Sequence, residues 1–162
     1  MNPHEFEELL TVLAATPDRI SRLIDGDSFE MVTHKPPDDQ FSILESVCHL
    51  RDIEIEGYAN RLNRILNENE PELPDIDGGK LAMERDYNRQ DLKRALETFT
   101  EARKRNVERV RNIESEQLGR VGTLQGVGVV TLERLLEMMA EHDEGHLEEL
   151  EVLQRSLKRV LT

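Results

Sequence analysis

Two histidines four residues apart, His142 and His146, are the side chains in this sequence best spaced to do chemistry. On an α-helix that spacing puts both imidazoles on one face with Cβ atoms about 6 Å apart, close enough to grip one metal ion. They fall inside a stripe of Leu132, Leu135, Leu136, Met139, Leu150, Leu153 and Leu157, so they face an interior rather than water. The competing reading is two core histidines, each hydrogen-bonded to a neighbour; two buried imidazoles with nothing to bind would be costly. Asp143 follows His142, so the base glutamate of the helix-borne zinc proteases is missing. His4 and His34 lie in polar surroundings and read as surface residues. His49 falls about 140° from the centre of the apolar face of its own helix on a wheel of 100° per residue. Ile43, Leu50 and Ile53 widen the apolar arc near it, but helical geometry alone does not nominate His49.

Four helical segments must position these residues. The first spans roughly residues 3–24, with Pro3 at a first helical position behind Asn2, and Thr16-Pro17-Asp18 as a point where it can break in two. Gly26 and Lys35-Pro36-Pro37-Asp38-Asp39 then form a connector that cannot be helix. The second spans roughly 41–69 and opens on Ser42 with Glu45 three residues later, a capping box. Pro71, Pro74 and Gly78-Gly79 end it. A third covers roughly 84–113, a glycine-bearing stretch follows over 119–128, and a fourth runs from Thr131, whose hydroxyl can cap it, to about Val160. Strand signals are almost absent; the β-branched run from Val127 to Thr131 is short and cut by Gly128. The expectation is an all-α four-helix bundle. The connector over 70–83 can reach roughly 45 Å when extended, close to the length of the helix before it, so a long crossover between the second and third helices is open.

At 162 residues the chain has the size of one domain, expected over 1–162, with 37% hydrophobic and 34% charged residues and 4% aromatic. A net charge of −13 argues against nucleic acid and anionic membranes as partners. The longest basic run, Arg103-Lys104-Arg105, sits between Glu101 and Glu108 and reads as mixed helix surface. One cysteine, Cys48, allows no intrachain disulfide and suits a reducing compartment; it reads as a small core residue. The acidic start lacks the basic and apolar regions of a signal peptide, and no stretch approaches the roughly 18 apolar residues of a membrane span. A cytoplasmic protein is expected.

The run from Phe41 to Glu54, containing Ser42, Glu45, His49-Leu50 and Asp52, resembles the start of the second helix in the DinB-like superfamily, where Trp-Ser-x-x-Glu-x-x-x-His-Leu-x-Asp recurs. Gly128 through Leu147 is similar to that family's Gly-x-x-Thr-Leu lead-in and closing His-Asp-x-x-His-Leu helix. Arg61 and the overall length also look like this group, whereas Phe41 stands where the family often has Trp. The resemblance implies a four-helix bundle, a homodimer, and one divalent ion of the zinc, nickel or iron type held by His49, His142 and His146.

Three neutral imidazoles leave coordination positions open, the mark of a catalytic rather than a structural metal site. Such an ion can acidify bound water towards a pKa of about 7 or activate a thiolate. Two activities on a small-molecule substrate follow: hydrolysis of an amide or ester, and transfer of a low-molecular-weight thiol serving as cosubstrate. The alternative is a metal- or ligand-binding stress-response protein with no turnover. Imidazole ligation suits zinc, nickel, copper and iron alike. Glu45, Asp52 and Asp143 flank the histidines and are weak candidates to orient an imidazole; with 34 acidic residues, plain helix surface is the competing reading. Gly145 costs its helix about 1 kcal/mol relative to alanine, which leaves room for substrate or a close helix contact, or is simply tolerated.

Overall fold

Helix α1 (Pro3–Leu23) starts where its cap predicts: Asn2 Oδ1 accepts from the Glu5 amide at 2.9 Å, and Glu5 Oε2 accepts from the Asn2 amide at 2.7 Å. The computed structural model describes residues 1–161. Pro17 does not break α1. Proline has no N–H for the carbonyl four residues earlier, and that carbonyl, Leu13 O, accepts instead from Arg103 Nη1 at 2.9 Å. A short helix, α2 (Phe29–Thr33), lies in the first connector.

The second segment is one rod with an irregularity: α3 (Ile43–Asp52), a π-helical turn (Ile53–Tyr58) and α4 (Ala59–Asn67). Ser42 Oγ caps it at 3.1 Å from the Glu45 amide. The box does not close, because the Glu45 carboxylate turns to Lys35 Nζ at 2.8 Å. In the π turn the Ala59 amide reaches back to the Glu54 carbonyl. One extra residue there rotates everything downstream by roughly 100° relative to a regular helix. A single wheel therefore averages two faces that are out of register, which is why His49 plots away from the apolar side.

The long connector holds strand β1 (Glu72–Leu73), α5 (Gly78–Glu84) and a 3₁₀ turn at Tyr87–Arg89. Helix α6 (Leu92–Arg111) starts later than its periodicity suggests, because Asp86 takes a left-handed φ of 50° and Asp91 supplies the cap. After a 3₁₀ turn at Ser115–Gly119, β2 (Val121–Leu124) and β3 (Gly128–Thr131) form an antiparallel hairpin, and β2 pairs in parallel with β1. This small sheet corrects the nearly strand-free reading: Gly126 and Gly128, at φ +79° and +115°, make the turn that their spacing disguised as loop. Thr131 Oγ1 accepts from the Arg134 amide at 3.0 Å and opens α7 (Leu132–Leu161). No helix among the described residues is long and apolar enough to cross a membrane.

Side-chain contacts fix the helix directions. Glu7 pairs with Arg111 and Leu13 with Arg103, so α1 and α6 are antiparallel. Cys48 lies by Gln90, Glu54 binds Arg103 and the Ala59 carbonyl binds Arg109, so the rod and α6 run parallel. Met1 meets Glu133, Thr16 meets Asp143 and Leu23 meets Gln154, so α1 and α7 are parallel too. His49 faces His146 while Tyr58 faces His142, which makes the rod and α7 antiparallel. The rod and α6 are thus parallel neighbours, and the connector between them is the return crossover that its length allowed.

The apolar core is in two parts. One, around Leu10, Leu13, Leu62, Ile65, Leu135 and Leu136, fills one end of the bundle; the other, around Ile20, Leu44, Val47, Phe99, Leu147 and Leu150, fills the opposite end. Between them lies a polar layer to which every long helix contributes: Thr16, His49 and Glu54, Arg103 and Asn106, then His142, Asp143 and His146.

Candidate metal centre

His49 arrives from the rod one turn before the π bulge, and His142 and His146 from the middle of α7. Their Nε2 atoms converge: His142 Nε2 lies 3.4 Å from that of His49 and 3.2 Å from that of His146. Ligand atoms of all three fit within 4.8 Å of one another. Two nitrogens about 2.05 Å from a zinc-like ion, at a tetrahedral angle, stand about 3.3 Å apart, so the observed spacing suits a shared ion.

At their other nitrogens the rings are poorly satisfied. The Nδ1 atoms of His49, His142 and His146 are buried and find no hydrogen-bond partner. A neutral imidazole has one donor and one acceptor nitrogen, so either tautomer leaves a buried polar atom unmatched on each ring. His146 Nδ1 is 3.2 Å from Glu149 Oε2, at ion-pair range but out of hydrogen-bond alignment. Burial first, and the neighbouring imidazoles second, push His49 down to about 3 and His142 down to about 4. Burial lowers His146 as well. All three are neutral at pH 7, the form that ligates metal.

The surroundings hold the rings in place. Gly78, at the start of α5, lays its backbone on His49: a Cβ there would sit 2.5 Å from the ring's Cε1 and 2.6 Å from its Nδ1. Phe41 packs on His49 at 5.4 Å between ring centroids, and Tyr58 meets His142 edge-on at 6.1 Å. A cavity of about 410 Å³ reaches His146 past Phe41 and Glu149. A separate one of about 290 Å³ reaches His49 and His142 past Tyr58 and Arg61.

None of the three carboxylates flanking the histidines in sequence hydrogen-bonds to an imidazole. Glu45 is taken by Lys35. Asp52 accepts from Tyr87 Oη at 2.6 Å, Arg51 Nε at 2.7 Å and Arg85 Nη1 at 2.8 Å; burial opposes its ionisation, but these donors hold it below the usual carboxylate range. Asp143 belongs to a buried ion network around Arg103, which is 1% exposed, in contrast to the surface reading of the basic run. Arg103 grips Glu54 with two hydrogen bonds of 2.8 Å, and Asp143 with bonds of 2.5 and 3.0 Å. Thr16 Oγ1 also donates to Asp143 at 2.9 Å, and Asn106 Nδ2 to Glu54 Oε1 at 2.9 Å.

Periodicity carried a signal for this network. Arg103 stands four residues from both Phe99 and Val107, Glu54 four from Leu50 and Tyr58, and Asp143 four from Met139 and Leu147. Each is a charge set squarely on an apolar stripe. Glu149, three residues after His146, was also within reach of helical spacing. Cys48 is fully buried at the Tyr87 backbone, and burial raises its thiol to about 11, which makes it packing. Gly145 is exposed, with nothing within 4 Å of where a Cβ would stand, so no close helix contact explains it.

The family model of the DinB superfamily matches residues 12–150 of the chain. Among solved structures, YfiT from Bacillus subtilis, described as a probable metal-dependent hydrolase with an unusual four-helix bundle topology, superposes with a TM-score of 0.90. It shares 19% identity, with 98% of this chain and 90% of that chain covered, and so shows a common fold. No curated protein matches the chain.

Proposed function

We propose that this chain, which belongs to the DinB superfamily, is a metal-dependent enzyme acting on a small molecule held against His49, His142 and His146. The observation that carries the reading is the convergence of three Nε2 atoms, 3.2 and 3.4 Å apart at the shared His142. A divalent ion of the zinc, nickel or iron type would supply Lewis acidity, polarising a carbonyl and acidifying water or a thiol. The chain keeps the three imidazoles neutral by burying them, backs His49 with the Gly78 backbone, and walls the approach with Phe41 and Tyr58. The Arg103 network fixes the turn of α7 that carries His142 by holding its neighbour Asp143.

Hydrolysis is the first reading, by analogy with the activity ascribed to YfiT. Transfer of a low-molecular-weight thiol is the second, because two separate cavities reach the histidines, one past Phe41 and one past Tyr58, as a two-substrate reaction needs. A cytoplasmic homodimer completes the proposal, carried by the family resemblance and checked by light scattering on the purified chain.

The test is metal content by plasma mass spectrometry on untagged protein prepared without chelator, followed by turnover assays. About one equivalent is expected, lost in both His49→Ala and His142→Ala. Consumption of esters or amides in water alone supports the hydrolase, and strict thiol dependence the transferase. Tight metal binding with no turnover on either panel leaves a non-catalytic binding protein. No metal after reconstitution with zinc, nickel and iron overturns the reading.

A further inference from the structure

We infer that Tyr58 and Arg61 form a carboxylate subsite beside the histidines, so that the small molecule bound there carries a carboxylate. The inference rests on the metal-enzyme reading for placing a substrate in this cavity, and goes beyond it in naming the substrate's charge. Tyr58 closes the π turn and Arg61 follows three residues later, which puts both on one face of the rod. Both are 6% exposed, and the Arg61 guanidinium lies 5.3 Å from the Tyr58 ring centroid. Together with His49 and His142 they wall the cavity of about 290 Å³.

Neither side chain has its bonds filled. The Tyr58 hydroxyl has no hydrogen-bond partner among the described residues, although its ring is buried. Arg61 gives Nε to the Pro74 carbonyl at 3.0 Å and Nη2 to Asp75 Oδ1 at 3.3 Å, while Nη1 meets no protein acceptor. Neither the Tyr58 hydroxyl nor Arg61 Nη1 is sealed from solvent, so both donors are free to meet an acceptor in the cavity their side chains line. A carboxylate fits both, taking a charge-assisted bond from the fork of Arg61 and a second from Tyr58.

Charge and size narrow the class. Arg61 is one cation, already shared with Asp75, in a chain of net charge −13. With Arg61 the one Lys or Arg lining the cavity, a singly charged group suits it better than the two charges of a phosphate monoester. The cavity lies at the small end of ligand pockets. The hairpin tip lines it as well, where Gln125 Oε1 accepts from the Asp75 amide at 3.2 Å.

The test uses the zinc-loaded full chain and two probes in isothermal titration calorimetry. Succinic monohydroxamate anchors on zinc and offers a distal carboxylate; its partner carries a carboxamide in that place. Wild type should bind the carboxylate about tenfold more tightly, with zinc stoichiometry measured on the same samples. Arg61→Gln should abolish the preference. Because that change also strips the Pro74 carbonyl and can unfold the rod, Tyr58→Phe is the deciding variant: it should cut the preference to about threefold with zinc retained. Zinc present with no preference in wild type, or a preference untouched by Tyr58→Phe, overturns the inference alone. Zinc absent from wild type overturns the metal reading and the inference with it.

Discussion

Around Arg103 every donor has an acceptor. Nε and Nη2 reach the two Glu54 oxygens, Nη2 and Nη1 reach the two Asp143 oxygens, and Nη1 also takes the carbonyl that Pro17 leaves free. In the other half of the same layer, which adjoins it through His142 beside Asp143, three imidazoles point at one another and leave three buried nitrogens without partners. Both halves are buried, charged or titratable, and set among leucines. What separates them is closure: the first network completes its own hydrogen bonds and is framework, whereas in the second three ligand atoms converge within 4.8 Å of one another, the geometry of a shared ion.

Removing the centre of each half tests that contrast most directly. Arg103→Met strands two carboxylates in the core and should cost about 3–5 kcal/mol in urea denaturation, a large share of a domain's stability. His49→Ala in the metal-free chain gives up only the weak contact with His142 Nε2 and should change stability by no more than about 1 kcal/mol. Comparable losses in the two variants would mean that the halves are alike, and the contrast would fail.

Acid sharpens it next. His49 and His142 titrate near 3 and 4 in the folded chain against 6.5 for the free side chain, so as pH falls the unfolded chain takes up protons first. Stability of the metal-free protein is full above about 6.5 and should fall progressively from there down to about 3, by up to roughly 3 kcal/mol for His142 and roughly 5 kcal/mol for His49. Denaturation midpoints across that range check this, and His142→Ala should flatten the slope. An unchanged slope would mean the rings are wetter than their burial indicates.

The smallest effect is a gain. Gly145 lies on the helix that carries both halves yet contacts neither, so Gly145→Ala should raise stability by roughly 0.5–1 kcal/mol with metal content unchanged. A loss of metal would assign that glycine to the site.

The sequence showed one half of this layer better than the other. The four-residue step between His142 and His146 is local, and the helix around it carries the imidazoles inward as the leucine stripe implies. His49 was hidden from periodicity because the π turn shifts the phase of its helix, and only the motif around it gave it away. Arg103 reads as surface because it opens a basic run set among Glu101 and Glu108, although Phe99 and Val107 mark its inward face. The caps at Asn2, Ser42 and Thr131 placed three helix starts, while the start of α6 was blurred by the short helix and left-handed Asp86 before it. The β1–β2 pairing joins segments that no local pattern relates.

The split core also sets an order of assembly. Thr16 and Asp143 are 127 residues apart, His49 and His142 are 93 apart, and Leu13 and Arg103 are 90 apart. Apart from the His142–His146 contact on α7, no bond of the layer is local, so the two apolar ends must collapse around groups some of whose partners arrive only when α7 docks. An ion captured by these histidines therefore meets a chain already folded. It would set the chemistry of the finished bundle, unlike the zinc of small finger domains, which creates the fold it occupies.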